Sequence, residues 1–208
     1  EGGGVTVMRY TQKGSTIVSL MVGLVISMLC LIALLTLFKA VVTTSVDSQQ
    51  NAQQDTQLFN GLTLAQMLAQ NAGFGFSSGT NVLIPSSTLA LDNSISVASQ
   101  KAVLWRYYTT INIPNTLTCQ GIASVLNNNQ TKLILLKANS CAQTSNLDSL
   151  TWTVDRVLAI LPSASTISFN LATQTCAPYG IGTAASHSKL TITANTFSFP
   201  VCLSNITS

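Results

Sequence analysis

Residues 14–38 read GSTIVSLMVGLVISMLCLIALLTLF, and not one of them is charged. Leu, Ile, Val, Met and Ala make up most of the stretch. Ser19, Ser27 and Thr36 cost little inside it, because their hydroxyls can bond back to a carbonyl of the preceding helical turn. A bilayer core of about 30 Å is crossed by about 20 helical residues, each advancing about 1.5 Å. The stretch therefore predicts a membrane-crossing helix. Arg9 and Lys13 precede it. Basic flanks stay on the cytoplasmic side, so the chain beyond Lys39 is expected to face outward. A cleavable secretory signal would have an apolar core of only about 7–15 residues, followed by a small-residue cut site. Here the run is longer, and KAVVTTSVDSQQNAQQDTQ (39–57) continues it without Gly or Pro.

Reading outward, Leu58, Leu62, Ala65, Leu68 and Ala72 recur at spacings of three and four and make one apolar helical face. The helix is predicted to run to about Ala72 and to stop at Gly73 and Gly75. Gly61 is a weak point in it, since glycine is a poor helix former. Residues 77–100 are rich in Ser, Thr and Asn, include Pro85, and read as a long, loosely structured connection. Strand-like runs follow: AVLWRYYTTINI (102–113), TKLILLKA (131–138), LTWTVDRVLAI (150–160), STISFNL (165–171), KLTITA (189–194) and TFSFPVC (196–202). No helical crossover separates them, so antiparallel pairing is expected. Asn127–Asn129 predicts a hairpin turn. The fold class is α+β, a long N-terminal helix packed on an antiparallel sheet.

Only 7 % of the 208 residues are charged, against about 25 % in an ordinary soluble domain. The chain is too apolar for disorder, and its uncharged polar surface suits an exported protein. The net charge is +3, and the basic residues are scattered. No strip of them follows a phosphate backbone, so nucleic-acid binding has little support. Of five cysteines, Cys30 lies in the apolar run and is expected to be a buried free thiol. Cys119, Cys141, Cys176 and Cys202 lie beyond it and read as two disulfides. Three connectivities are possible. Pairing of sequence neighbours, Cys119–Cys141 and Cys176–Cys202, is favoured, each closure being worth about 3 kcal/mol.

No enzyme emerges from the motifs. His187, the only histidine, stands in the polar stretch GTAASHSKL and reads as a surface loop residue. No elbow frames a serine, no aspartates have metal-ligand spacing, and no glycine loop cradles phosphate. Asp155 and Arg156, adjacent on a strand, are expected on opposite faces, as two solvated or locally paired charges. Trp105, Tyr107 and Tyr108 beside Arg106 could form a stacking surface. The preferred reading turns Trp105 and Tyr107 into the core. No cofactor and no small-molecule substrate is implied.

The short basic segment MRYTQKG, ending in Gly14 and followed at once by STIVSLMVGL, resembles the type III signal of prepilins. QDTQLFNGLTLAQMLAQNAGF (54–74) is similar to the helix end of PilW-like minor pilins, closing on Gly73 and Phe74. Together the resemblance covers about the first 75 residues. It implies the pilin fold, cleavage between Gly14 and Ser15 by a prepilin peptidase, and methylation of the new Ser15 amine. Met8 is read as the start of the leader. The division is then a leader at 1–14, the membrane part of the helix at 15–41, its extramembrane part at 42–75, and a β-rich head at 76–208. The family usually has Phe where Ser15 stands and Glu where Ser19 stands. That glutamate meets the amine of a neighbouring subunit, and subunits placed at a filament tip can lack it. The implied role is a minor pilin that initiates or caps a type IV pilus. Its partners would be other minor and major pilins, the prepilin peptidase and the bacterial inner membrane. A type II secretion pseudopilin close to the J-type subunit, and a filament-displayed adhesin or DNA-uptake module, are the alternatives.

Overall fold

A computed structural model describes residues 16–92, 95–110, 116–178 and 181–207. Gly14, Ser15 and the leader lie outside these. The chain divides into two compact units that meet in sequence at Asn51 and Ala52. The elements in chain order are helix α1 (Ile17–Ala69), β1 (Val82–Leu83), β2 (Leu89–Ala90), β3 (Ser96–Val97), β4 (Ala102–Tyr108), β5 (Leu117–Asn127), β6 (Gln130–Ala138), a 3-10 turn (Leu147–Ser149), β7 (Trp152–Pro162), β8 (Ile167–Cys176), β9 (Ala185–Ala194) and β10 (Phe197–Thr207). One long N-terminal apolar helix and antiparallel sheets make this an α+β chain.

The first unit holds the apolar part of α1, whose described residues are all exposed. Its hydroxyls bond within the helix. Ser27 Oγ donates to the Gly23 carbonyl at 2.8 Å and Thr36 Oγ1 to that of Ala33 at 2.8 Å. Cys30 is free, and no side chain of the unit covers it. Every side chain of this segment points away from the helix axis, and nothing within the unit covers it.

In the second unit, α1 buries Leu58, Gly61, Leu62, Ala65 and Ala69. Helical residues stop at Ala69, three short of the expected Ala72, because the chain turns to join β4. Gly73 N–H donates to the Arg106 carbonyl at 2.9 Å, and Tyr108 N–H donates to that of Phe74 at 3.0 Å. Gly73 has φ +78, and a Cβ there would lie 2.7 Å from Ile206 Cγ1. Both facts require glycine.

Five strands form one sheet in the order β1-β4-β5-β6-β7, and three form another in the order β10-β9-β8. Alternation along the strands splits the core in two. Val103, Trp105, Leu133 and Leu135 pack with α1 and with Leu190, Ile192 and Leu203 of the smaller sheet. Leu104, Ala123, Ile134 and Leu136 point the other way, onto Leu89, Leu91, Val97, Leu147 and Trp152. A sheet covered on both faces needs apolar residues at successive positions, which is why AVLW and LILL run without a break.

The residues expected as a loose connection are therefore a lid on the second face. Their strands β2 and β3 are only two residues each, too short to show a period, yet Leu89, Leu91 and Val97 are buried. The hairpin turn is tight: Asn127 pairs with Gln130, and Asn128 and Asn129 have φ 50 and 55. Two residues at positive φ give the I′ turn that matches strand twist.

Strand β7 carries two bulges. Leu135 pairs with Arg156 and Leu136 with Val154, leaving Asp155 extra; Leu133 pairs with Ala159 and Ile134 with Val157, leaving Leu158 extra. The first bulge corrects the expectation that Asp155 and Arg156 face apart and leaves them as the local charge pair, the other half of that reading. Arg156 Nε lies 3.1 Å from Asp155 Oδ2. His187 is also not in a loop; it sits in β9 opposite Gln174 of β8.

Candidate functional site

Two features carry the candidate function: an exposed apolar helix and a braced head. From Ile17 to Phe38, 22 residues of α1 hold no charge. At about 1.5 Å each they span about 33 Å, enough to cross a membrane. None of this apolar segment is buried; Leu20 and Leu35 are each 66 % exposed. Apolar area left in water costs about 25 cal/mol per Å², so a helix of this kind calls for a non-aqueous surrounding. Ser19 lies in the first turn of α1, exposed, with its N–H bonded to the Thr16 carbonyl at 2.9 Å. No acidic side chain stands anywhere along the apolar run.

The head is braced by two disulfides, Cys119–Cys141 and Cys176–Cys202. The second ties the end of β8 to β10. The first ties β5 to the loop before the 3-10 turn. That same loop is held by Arg106, which is only 7 % exposed. Arg106 Nη1 donates to the carbonyls of Ala142 at 3.0 Å, Gln143 at 2.6 Å and Ser145 at 3.0 Å. Its Nη2 donates to the Thr80 carbonyl at 2.8 Å, and its Nε to Asn81 Oδ1 at 3.2 Å. The guanidinium carbon stands 5.9 Å from the Phe76 ring centre, and Phe76 stacks on Tyr108. Among the described residues no carboxylate pairs with Arg106, and its charge is met by carbonyl oxygens and the Phe76 ring. Burial holds its pKa below the ordinary arginine value, and the nearby Tyr108 works against that shift.

This cage was not found from the sequence. The available signal was a cation inside AVLWRYY, a run whose other inward positions are apolar. Trp105 is fully buried and Tyr107 packs against the core. The aromatic residues therefore belong mainly to the interior. Tyr107 donates from its hydroxyl to Gln120 Oε1 at 3.1 Å, and burial raises its pKa.

The described residues contain no group of three or more His, Cys, Asp or Glu side chains able to hold a metal ion. His187 stands apart from Asp155, and its Nδ1 is buried without a hydrogen-bond partner. What the arrangement can do is insert an apolar helix into an apolar surrounding and present a rigid, disulfide-braced head. Comparison of the chain with protein-family models, with curated proteins and with solved structures gives no match.

Proposed function

We propose that this chain is a membrane-anchored, exported subunit of a type IV pilus-like filament, a PilW-like minor pilin that helps start or cap assembly. Its work is structural and not catalytic. The observation that carries the reading is the joint character of α1. A charge-free, unburied stretch is followed, in the same helix, by a face of Leu58, Gly61, Leu62, Ala65 and Ala69 packed on an antiparallel, disulfide-braced head. The apolar stretch would hold the subunit in the inner membrane and exchange lipid for neighbouring helices as the filament grows. The basic leader ending in Gly14 supplies the processing signal.

The mature N-terminus tests this. In cells with an active prepilin peptidase, mass spectrometry is expected to find a chain beginning at methylated Ser15. A mature chain that keeps Met8, or one that begins beyond Phe38, overturns the reading.

A further inference from the structure

A cleft of about 430 Å³, of mixed polar and apolar lining, opens where the β2–β3 pair, the start of β4, the β5–β6 hairpin and the β7–β8 turn converge. Its one ionised lining group is Lys101. The backbone of Lys101 is pinned on both sides: its N–H donates to the Ala98 carbonyl at 3.1 Å, and its carbonyl accepts from Ser124 N–H at 2.8 Å. Its ammonium is fixed as well, donating to the Ile167 carbonyl at 2.8 Å. An ammonium has three N–H donors, so two stay available. Among the described residues no carboxylate lies within ion-pair distance of it. The half-buried ammonium therefore keeps donors free for an incoming acceptor.

Around this cation stand the hydroxyls of Thr88, Ser96, Ser124, Ser163, Ser165 and Thr166, none bonded to another described residue. Each can donate and accept. Leu126, 69 % exposed, adds an apolar wall, while Val125 and Ile167 lie buried beneath the cleft floor. We propose that this cleft is a binding site for an acidic saccharide, a pyranose bearing a carboxylate. The carboxylate meets Lys101, the sugar hydroxyls exchange bonds with the serines and threonines, and the C–H face lies on Leu126. The volume falls within the ordinary range for small-ligand sites, about 300–1,000 Å³. A bare anion would use the ammonium and leave most hydroxyls to water. A nucleic-acid strand would want several cations and an aromatic platform, and the lining has one cation and no aromatic ring. The cleft lies within the second unit, and the inference does not rest on the filament reading.

The test is titration of the full chain in detergent with sodium glucuronate, followed by ligand-observed saturation-transfer NMR and calorimetry. Glucose and acetate are the controls. Glucuronate is expected to bind, with both controls at least roughly tenfold weaker, the value of one charge-assisted hydrogen bond. Lys101→Met should weaken glucuronate by a similar factor. Because that change also removes the bond to Ile167, a second variant, Ser96→Trp, blocks the exposed rim without touching the core and should abolish binding. No glucuronate binding overturns the proposal. So does acetate binding as well as glucuronate, which leaves a simple anion site, or glucose binding as well, which leaves Lys101 idle. Glucuronate bound unchanged by Ser96→Trp places the ligand elsewhere and overturns it too.

Discussion

Arg106 of β4 and Cys119 of β5 lie directly opposite each other in the antiparallel register, and both hold the same loop. Cys119 does so through its bond to Cys141, and Arg106 through the carbonyls of Ala142, Gln143 and Ser145. The disulfide lowers the entropy lost when the loop closes over the guanidinium. Without it, the cage should fray and the Arg106 bonds should be worth less. Arg106→Met is expected to cost about 2 kcal/mol, since it removes the charged hydrogen bonds that hold the loop and leaves part-buried carbonyls without them. Replacing Cys119 and Cys141 by serine should cost about 3 kcal/mol. Combined, the changes should cost at least about 1 kcal/mol less than their sum. Denaturant unfolding followed by tryptophan fluorescence measures this, because Trp105 and Trp152 are both fully buried in the head. Additivity to within about 0.5 kcal/mol would show that the two braces act independently.

Gly61 makes a second sharp case. A Cβ placed there would sit 2.8 Å from the Leu158 carbonyl oxygen and 3.0 Å from Ala159 Cβ. In an open helix, Gly→Ala gains about 1 kcal/mol. Here the obstacle is backbone at a β-bulge, which cannot swing aside as a side chain can. Overpacking of this kind costs about 1–3 kcal/mol, so Gly61→Ala should lower head stability. Gly23→Ala is the control, because nothing lies within 4 Å of that position. The same unfolding experiment decides: equal or higher stability of Gly61→Ala removes the close-approach argument.

These two sites show what the sequence could and could not reveal. The apolar run, the helical face through Leu58, Leu62 and Ala65, and most strands are local patterns and are readable as such; Ala69, not Leu68, is the next residue that the helix buries. Gly61 looked like a defect because its value depends on Leu158, nearly a hundred positions away. Residues 77–100 looked loose because two-residue strands have no period, although Leu89 and Val97 cover the sheet. Most of β5 escaped notice, since Gln120 and Gly121 break its apolar alternation while Gly121 packs against Leu104. Arg106 was visible only as a charge in an apolar strand, with its five acceptors spread over residues 80–145. The cleft draws on four separate segments of chain, so no single stretch announced it.

Tyr107 gives a pH signature. Burial raises its folded pKa above the ordinary value near 10.0. The neutral hydroxyl is thus favoured by folding. Its contribution is complete below the unfolded pKa and is lost as pH rises through the folded one. Wild-type stability should therefore decline above about pH 10 more steeply than that of Tyr107→Phe. Between pH 7 and 9 the gap between the two should be constant. Unfolding curves at several pH values measure this difference, which cancels the other titrating groups. Parallel curves through pH 11 would mean that Tyr107 ionises as freely in the fold as in the unfolded chain.

The last prediction follows from Ser19 under the filament reading. A glutamate at this place would be a charge inside an apolar helix, costly in lipid unless a partner amine meets it. Ser19 avoids that cost, and with it the means to engage a neighbour's amine. Subunits in a shaft each need such a contact above and below. A subunit at the end needs it on one side only. The chain should therefore be present in few copies and sit at or near the filament tip. Immunogold labelling of sheared filaments is expected to mark ends. Label spread evenly along the shaft would sink the tip assignment and show that other helix contacts replace the missing charge. Ser19→Glu adds a second readout: if tip placement depends on the absent carboxylate, the variant should spread from the ends into the shaft.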